Sequence, residues 1–66
     1  MDKEKSYKQF AKLMKKHKVK AAQVARGANI PPSTFSDWKA GVYMPKFDKI
    51  KRIADYFGVS VDYFLK

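Results

Sequence analysis

Cysteine is absent from the chain, so neither a disulfide framework nor a thiolate zinc site can brace the fold. Histidine occurs once, at position 17, which leaves no second imidazole for a metal pair. Acids are scarce and scattered, six Asp+Glu in all, and form no nucleophile–base pair or metal cluster. No hydrophobic run approaches the roughly 20 residues that cross a bilayer, and the opening MDKEKSYKQF lacks the apolar stretch of a secretion signal. Enzymatic, metal-binding and membrane-spanning roles are therefore the least expected. No cofactor and no small-molecule ligand is implied, and a cytoplasmic location fits.

What the chain does have is positive charge and a core. Fifteen Lys+Arg give a net charge of +9 and a pI near 9.9. A field of that size favours polyanionic partners, nucleic acid first, although charge can also serve solubility alone. With 45% hydrophobic and 15% aromatic residues, the 66 residues can build one core and one domain spanning 1–66. A chain this short buries only about 60% of its unfolded surface, so each large apolar residue is needed inside.

Apolar residues recur at helical spacing almost throughout and predict five short helices. The first is expected to start at Ser6, which with Gln9 forms a Ser-x-x-Gln capping-box pattern. Tyr7, Phe10, Leu13, Met14 and His17 then share one side, and Lys8, Lys12 and Lys15 the other. His17 is expected to pack or cap. The second helix covers about Lys20 to Ala28 with Ala21, Val24, Ala25 and Ala28 inward, and Asn29 tolerates the left-handed turn that follows. The third starts at Pro32 and stops at Gly41. The fourth, about Lys46 to Phe57, is expected to bury Phe47, Ile50, Ile53, Ala54 and Phe57 before Gly58. Ser60 caps a last turn or two carrying Val61, Phe64 and Leu65.

Residues 21–38 carry the features of a tight two-helix crossing. Ala25 is small at the contact, Asn29 permits the turn, Ile30 is apolar, and Phe35 and Trp38 supply inward anchors at i, i+3. With VAR in the second helix, STFSDWKAG in the third, Pro45 after the next loop and IADYFGVSVDYFL at the end, the chain resembles the Cro/CI-type helix-turn-helix family of phage repressors and bacterial regulators. The resemblance covers about Leu13 to Leu65. It implies an all-α, compact five-helix, lambda-repressor-like domain whose helix-turn-helix, about residues 20–40, inserts its second helix into the DNA major groove. It further implies a regulator of phage or prophage type, most simply a repressor in the bacterial nucleoid, bound as a homodimer to a palindromic double-stranded DNA operator.

The helical wheel of residues 32–40 sets Phe35 and Trp38 inward and Thr34 at the margin. Pro32, Ser33, Ser36, Asp37 and Ala40 lie opposite and are all short. Such a surface fits a groove about 12 Å wide and needs no positive charge, because phosphates line the walls rather than the floor. These five residues are the candidate base readers: serines as adaptable donors and acceptors, Asp37 as acceptor from cytosine N4, Pro32 and Ala40 against thymine methyl groups. Lys18, Lys20, Ala21, Thr34, Lys39, Tyr43 and Lys46 are the candidate phosphate contacts. Tyr43, Met44, Tyr63 and Phe64 are candidate dimer contacts, with domain packing the alternative, preferred for Phe64.

The chain departs from the family pattern in places. Lys20 and Ala21 stand where a hydroxyl cap and a phosphate-holding glutamine are usual, Asn29 replaces a turn glycine, and Pro31 replaces a capping Ser or Thr. These departures, with Asp37, keep open a second function: a protein-interaction module of the same fold, antitoxin-like or regulator-binding. A cationic membrane-surface role for the lysines of the first helix is weaker, since the chain has too complete a core.

Overall fold

A computed structural model describes residues 3–65, so Met1, Asp2 and Lys66 of the expected 1–66 domain lie outside the described residues. Its helices are α1 (Lys3–His17), α2 (Ala21–Ala28), α3 (Pro32–Lys39), α4 (Phe47–Phe57) and α5 (Asp62–Leu65). There is no strand among the described residues. The architecture is the all-α, five-helix one expected.

Four left-handed residues separate the helices: Lys18 (φ 56°), Asn29 (φ 58°), Gly41 (φ 77°) and Gly58 (φ 72°). Behind each, an aliphatic residue returns its N–H to a carbonyl five positions back. The bonds are Val19 to Met14 at 3.0 Å, Ile30 to Ala25 at 2.9 Å, Val42 to Asp37 at 2.9 Å and Val59 to Ala54 at 3.0 Å. This is the Schellman closure, which satisfies terminal carbonyls and turns the chain sharply. Three of the four stops follow from residue type. Lys18 is a stop that sequence reading passed over.

The helices close around Phe10. Its ring stacks on Phe35 and on Trp38, both at 5.1 Å between centroids, and meets Phe57 edge-on at 6.1 Å. Val24, Ile50, Ile53, Ala54 and Phe64 complete the buried centre. α1 packs on α3 and α5, while α2 packs on α3 and α4. Where Gly27 of α2 meets Tyr56 of α4, any Cβ would overlap the tyrosine ring. His17 is exposed as a residue, but its ring lies 5.0 Å from that of Phe57, a packing role.

Two local expectations are overturned. Ser6 does not cap α1, which begins at Lys3. The Ser6 side chain is instead buried and accepts a hydrogen bond from Trp38 Nε1 at 3.1 Å. Its hydroxyl also donates to Met44 Sδ at 3.6 Å. Phe47 is 63% exposed rather than buried. It is the first residue of α4, and helical side chains lean toward the N-terminus, so there its ring leans off the end of the helix instead of onto the core. Ser60 does act as a cap, accepting from the Asp62 N–H at 3.2 Å.

Candidate nucleic-acid interface

Positioning of α3 begins at its two ends. Pro31 and Pro32 have no N–H to leave unsatisfied, and the Pro31 carbonyl accepts from the Thr34 N–H at 3.0 Å. The missing Ser/Thr cap is thus offset by removing donors rather than by bonding them. At the other end Gly41 allows the Schellman turn. The α2–α3 turn is also held from outside, since Arg52 Nη1 of α4 donates to the Asn29 carbonyl at 3.3 Å. α2 itself starts without a hydroxyl cap, but Gln23 Oε1 accepts from the Lys20 N–H at 2.8 Å. That supplies half of a capping box from the third helical position.

From behind, Phe35 and Trp38 are buried, and Trp38 is enclosed by Phe10, the edge of Tyr7 at 5.5 Å and Phe64 at 6.3 Å. The side away from these anchors carries Pro32, Ser33, Ser36 and Ala40, all exposed, with Asp37 half-exposed at its edge. At 100° per residue Ser33, Ser36 and Ala40 fall within about 60° of arc, so they form the crest.

Candidate phosphate contacts flank that crest on both sides. On one, an open groove of about 500 Å³ brings together Lys20 and Ala21 from the start of α2, Pro32, Ser36 and Lys39 from α3, and Tyr7 from α1. On the other, Tyr43 and Lys46 share a hollow with Lys49. Lys18 is exposed in the α1–α2 turn and lines neither of these. Burial raises the Tyr7 phenol above its ordinary pKa.

Thr34 and Phe64 are corrections. Thr34 is only 3% exposed, so its side chain is not on a surface that a phosphate can reach. Phe64 is core, beside Trp38, and is not available to a second copy. Met44 and Tyr63 are half-buried against the core, whereas Tyr43 is exposed.

Tyr43 joins the loop after α3 to α3 itself. Its phenol is raised above the ordinary pKa, chiefly through hydrogen bonding with Asp37. Desolvation and the Asp37 charge act in the same direction, and the Thr34 hydroxyl opposes them by donating to the phenol oxygen. Sequence reading missed three participants: Ser6 as the Trp38 acceptor, Tyr7 in the groove, and Arg26, exposed beside Asn29 and Pro31 in a shallow cleft of α2. Only Arg26 carried a signal, being a cation next to Ala25, the small residue of the expected crossing.

Among the described residues no helix is long and apolar enough to cross a membrane. No curated protein and no solved structure matches the chain. The model of the helix-turn-helix family matches residues 5–64, and with α2 and α3 forming that motif the chain belongs to the Cro/CI-type, lambda-repressor-like family of DNA-binding regulators.

Proposed function

We propose that this regulator binds double-stranded DNA sequence-specifically, laying α3 in the major groove, and represses transcription in a phage or prophage setting within the cytoplasm. The observation that carries the reading is the two-sided character of α3. Phe35 and Trp38 are buried behind it, and a crest of small residues, Ser33, Ser36 and Ala40, stands clear in front. A narrow crest can approach base edges, and the flanking Lys20, Lys39 and Lys46 stand where groove walls would offer phosphates. Binding is as a homodimer on a palindromic operator, with half-sites about one helical turn, roughly 34 Å, apart.

Selection of bound sequences from random duplexes tests this. Wild type is expected to enrich a palindrome, and Ser33→Ala, Ser36→Ala and Asp37→Ala to change its preferred bases while far-ultraviolet circular dichroism stays the same. Unchanged preference in all three variants would remove α3 as the reader.

The second reading, a protein-interaction module, is favoured by Val42 and Phe47. Both are large, apolar and more than 60% exposed beside the α3 C-terminus and at the α4 N-terminus. An acid at position 37 also suits a protein partner as well as a base.

A further inference from the structure

We propose that the outer face of α1 is a second surface for duplex DNA, gripping the sugar–phosphate backbone without regard to sequence, so that the protein holds two duplex segments at once. The grip needs only the lysines of α1, whereas holding two segments rests on α3 reading the first.

Positive charge is segregated along the chain. Residues 5–36 hold eight cations and no acid, whereas residues 37–66 hold six cations and four acids. Within α1, Lys8, Lys12, Lys15 and Lys16 are all exposed, and no acid follows Glu4 on that helix. At 100° per residue these four fall within about 100° of arc, whose centre lies roughly 175° from Phe10. Lys8 with Lys12 and Lys12 with Lys16 are like-charged pairs at i, i+4, an arrangement that weakens a helix. Solubility alone is met by mixed charges or by added acids, without that repulsion. A polyanion laid along the face removes the repulsion and releases its own condensed counterions, which is the source of affinity.

The fold sets these lysines on the far side of the molecule from the crest of α3. Phe10 points from α1 to the back of α3, stacking on Phe35 and Trp38 at 5.1 Å each. The lysines lie opposite Phe10 on α1, and Ser33, Ser36 and Ala40 lie about 160° from the two anchors on α3. Crest and lysines therefore face outward from opposite sides of the packed pair, in a molecule with extents of 23 × 23 × 21 Å. A straight duplex seated on the crest does not reach the lysines. From Lys8 to Lys16 the helix rises about 12 Å, the rise of three to four phosphates along one strand. Phe10 and Leu13 on the other side of α1 are buried in the core, so the helix has no free apolar face to lay into a bilayer.

The test is capture of a second duplex. A donor-labelled duplex carrying the selected palindrome is saturated with protein, so that both crests of the dimer are occupied. An acceptor-labelled duplex lacking the palindrome is then added at about 50 mM salt, and energy transfer reports the two held together. Wild type is expected to capture the second duplex in the range of about 1–100 μM, with a log–log salt slope near −3.6 at about 0.9 for each of the four lysines. Replacing all four by glutamine should weaken capture by about tenfold or more, while the same palindrome is enriched with its affinity and salt slope kept. Glutamine matches lysine in helix propensity and relieves the repulsion, so the thermal midpoint should not fall. Replacing all four by arginine should keep capture.

A glutamine variant that loses palindrome affinity with a flatter salt slope would put these lysines on the same duplex as α3 and overturn the proposal. A wild type that captures no second duplex would overturn it too, as would capture that survives in the glutamine variant or fails in the arginine one. Binding of wild type, but not the glutamine variant, to phosphatidylserine–phosphatidylcholine vesicles without duplex capture would overturn it by assigning the face to lipid. If no palindrome is enriched, single-duplex affinity separates the two ideas. Affinity lost in the glutamine variant supports the α1 surface and removes α3 as reader, whereas absence of duplex affinity in wild type sinks both.

Discussion

The Trp38 indole nitrogen marks where residue chemistry decides the fold. The indole is 1% exposed, and its N–H finds Ser6 Oγ on α1 at 3.1 Å. Ser6→Ala deletes that acceptor while leaving the donor buried, an arrangement that costs about 1–3 kcal/mol. Denaturant unfolding followed by Trp38 fluorescence should register a loss of that size. Ser6→Thr, which keeps an acceptor, should recover part of it, whereas equal losses in both variants would point to packing instead. Capping reasoning failed at Ser6 because a local Ser-x-x-Gln pattern competes with a partner 32 positions away, and only the folded chain reveals that partner. Phe47 failed for a related reason: wheel angle describes a face but not the end of a helix. Phe10, Phe35 and Trp38 were legible, since each repeats an inward spacing within its own helix.

At the scale of the helices, existence and type were legible and the terminus at Lys18 was not. Asn29, Gly41 and Gly58 tolerate positive φ by their own chemistry, whereas lysine does not. A subtler signal was present, the aliphatic residue after each stop: Val19, Ile30, Val42 and Val59. At Lys18 tertiary need prevails over residue preference, and strain results. A non-glycine residue in this region costs about 1–2 kcal/mol, part of which glycine returns through its freer unfolded state. Lys18→Gly is therefore expected to stabilise the domain by about 0.5–1 kcal/mol, seen as a thermal midpoint a few degrees higher by circular dichroism. An unchanged or lower midpoint would mean that the strain is already absorbed. The same variant separates two roles, because lost DNA affinity in a more stable protein would assign the Lys18 ammonium to a phosphate.

Across the whole molecule the charge of +9 was legible from composition, but its arrangement needed the fold. Lys20 and Lys39 are 19 positions apart in the chain yet share one groove, and Lys46 stands with Tyr43 on the opposite flank of α3. This distribution separates DNA reading from protein interaction by salt. If Lys18, Lys20, Lys39 and Lys46 each neutralise one phosphate, log affinity should fall against log salt with a slope of about −3.6 per domain, at about 0.9 for each contact. Lys39→Gln or Lys46→Gln should flatten the slope by about 0.9 and weaken all sequences alike, because a phosphate contact carries no base information. Fluorescence anisotropy on a labelled duplex from about 50 to 200 mM salt measures both quantities. Negligible duplex affinity even at the low end would leave the lysines as solvated charge and shift the function to the apolar pair Val42 and Phe47, where a protein surface rather than a nucleic acid would bind. The two outcomes cannot be confused, since burial of apolar side chains releases no condensed counterions and so lacks the steep salt slope.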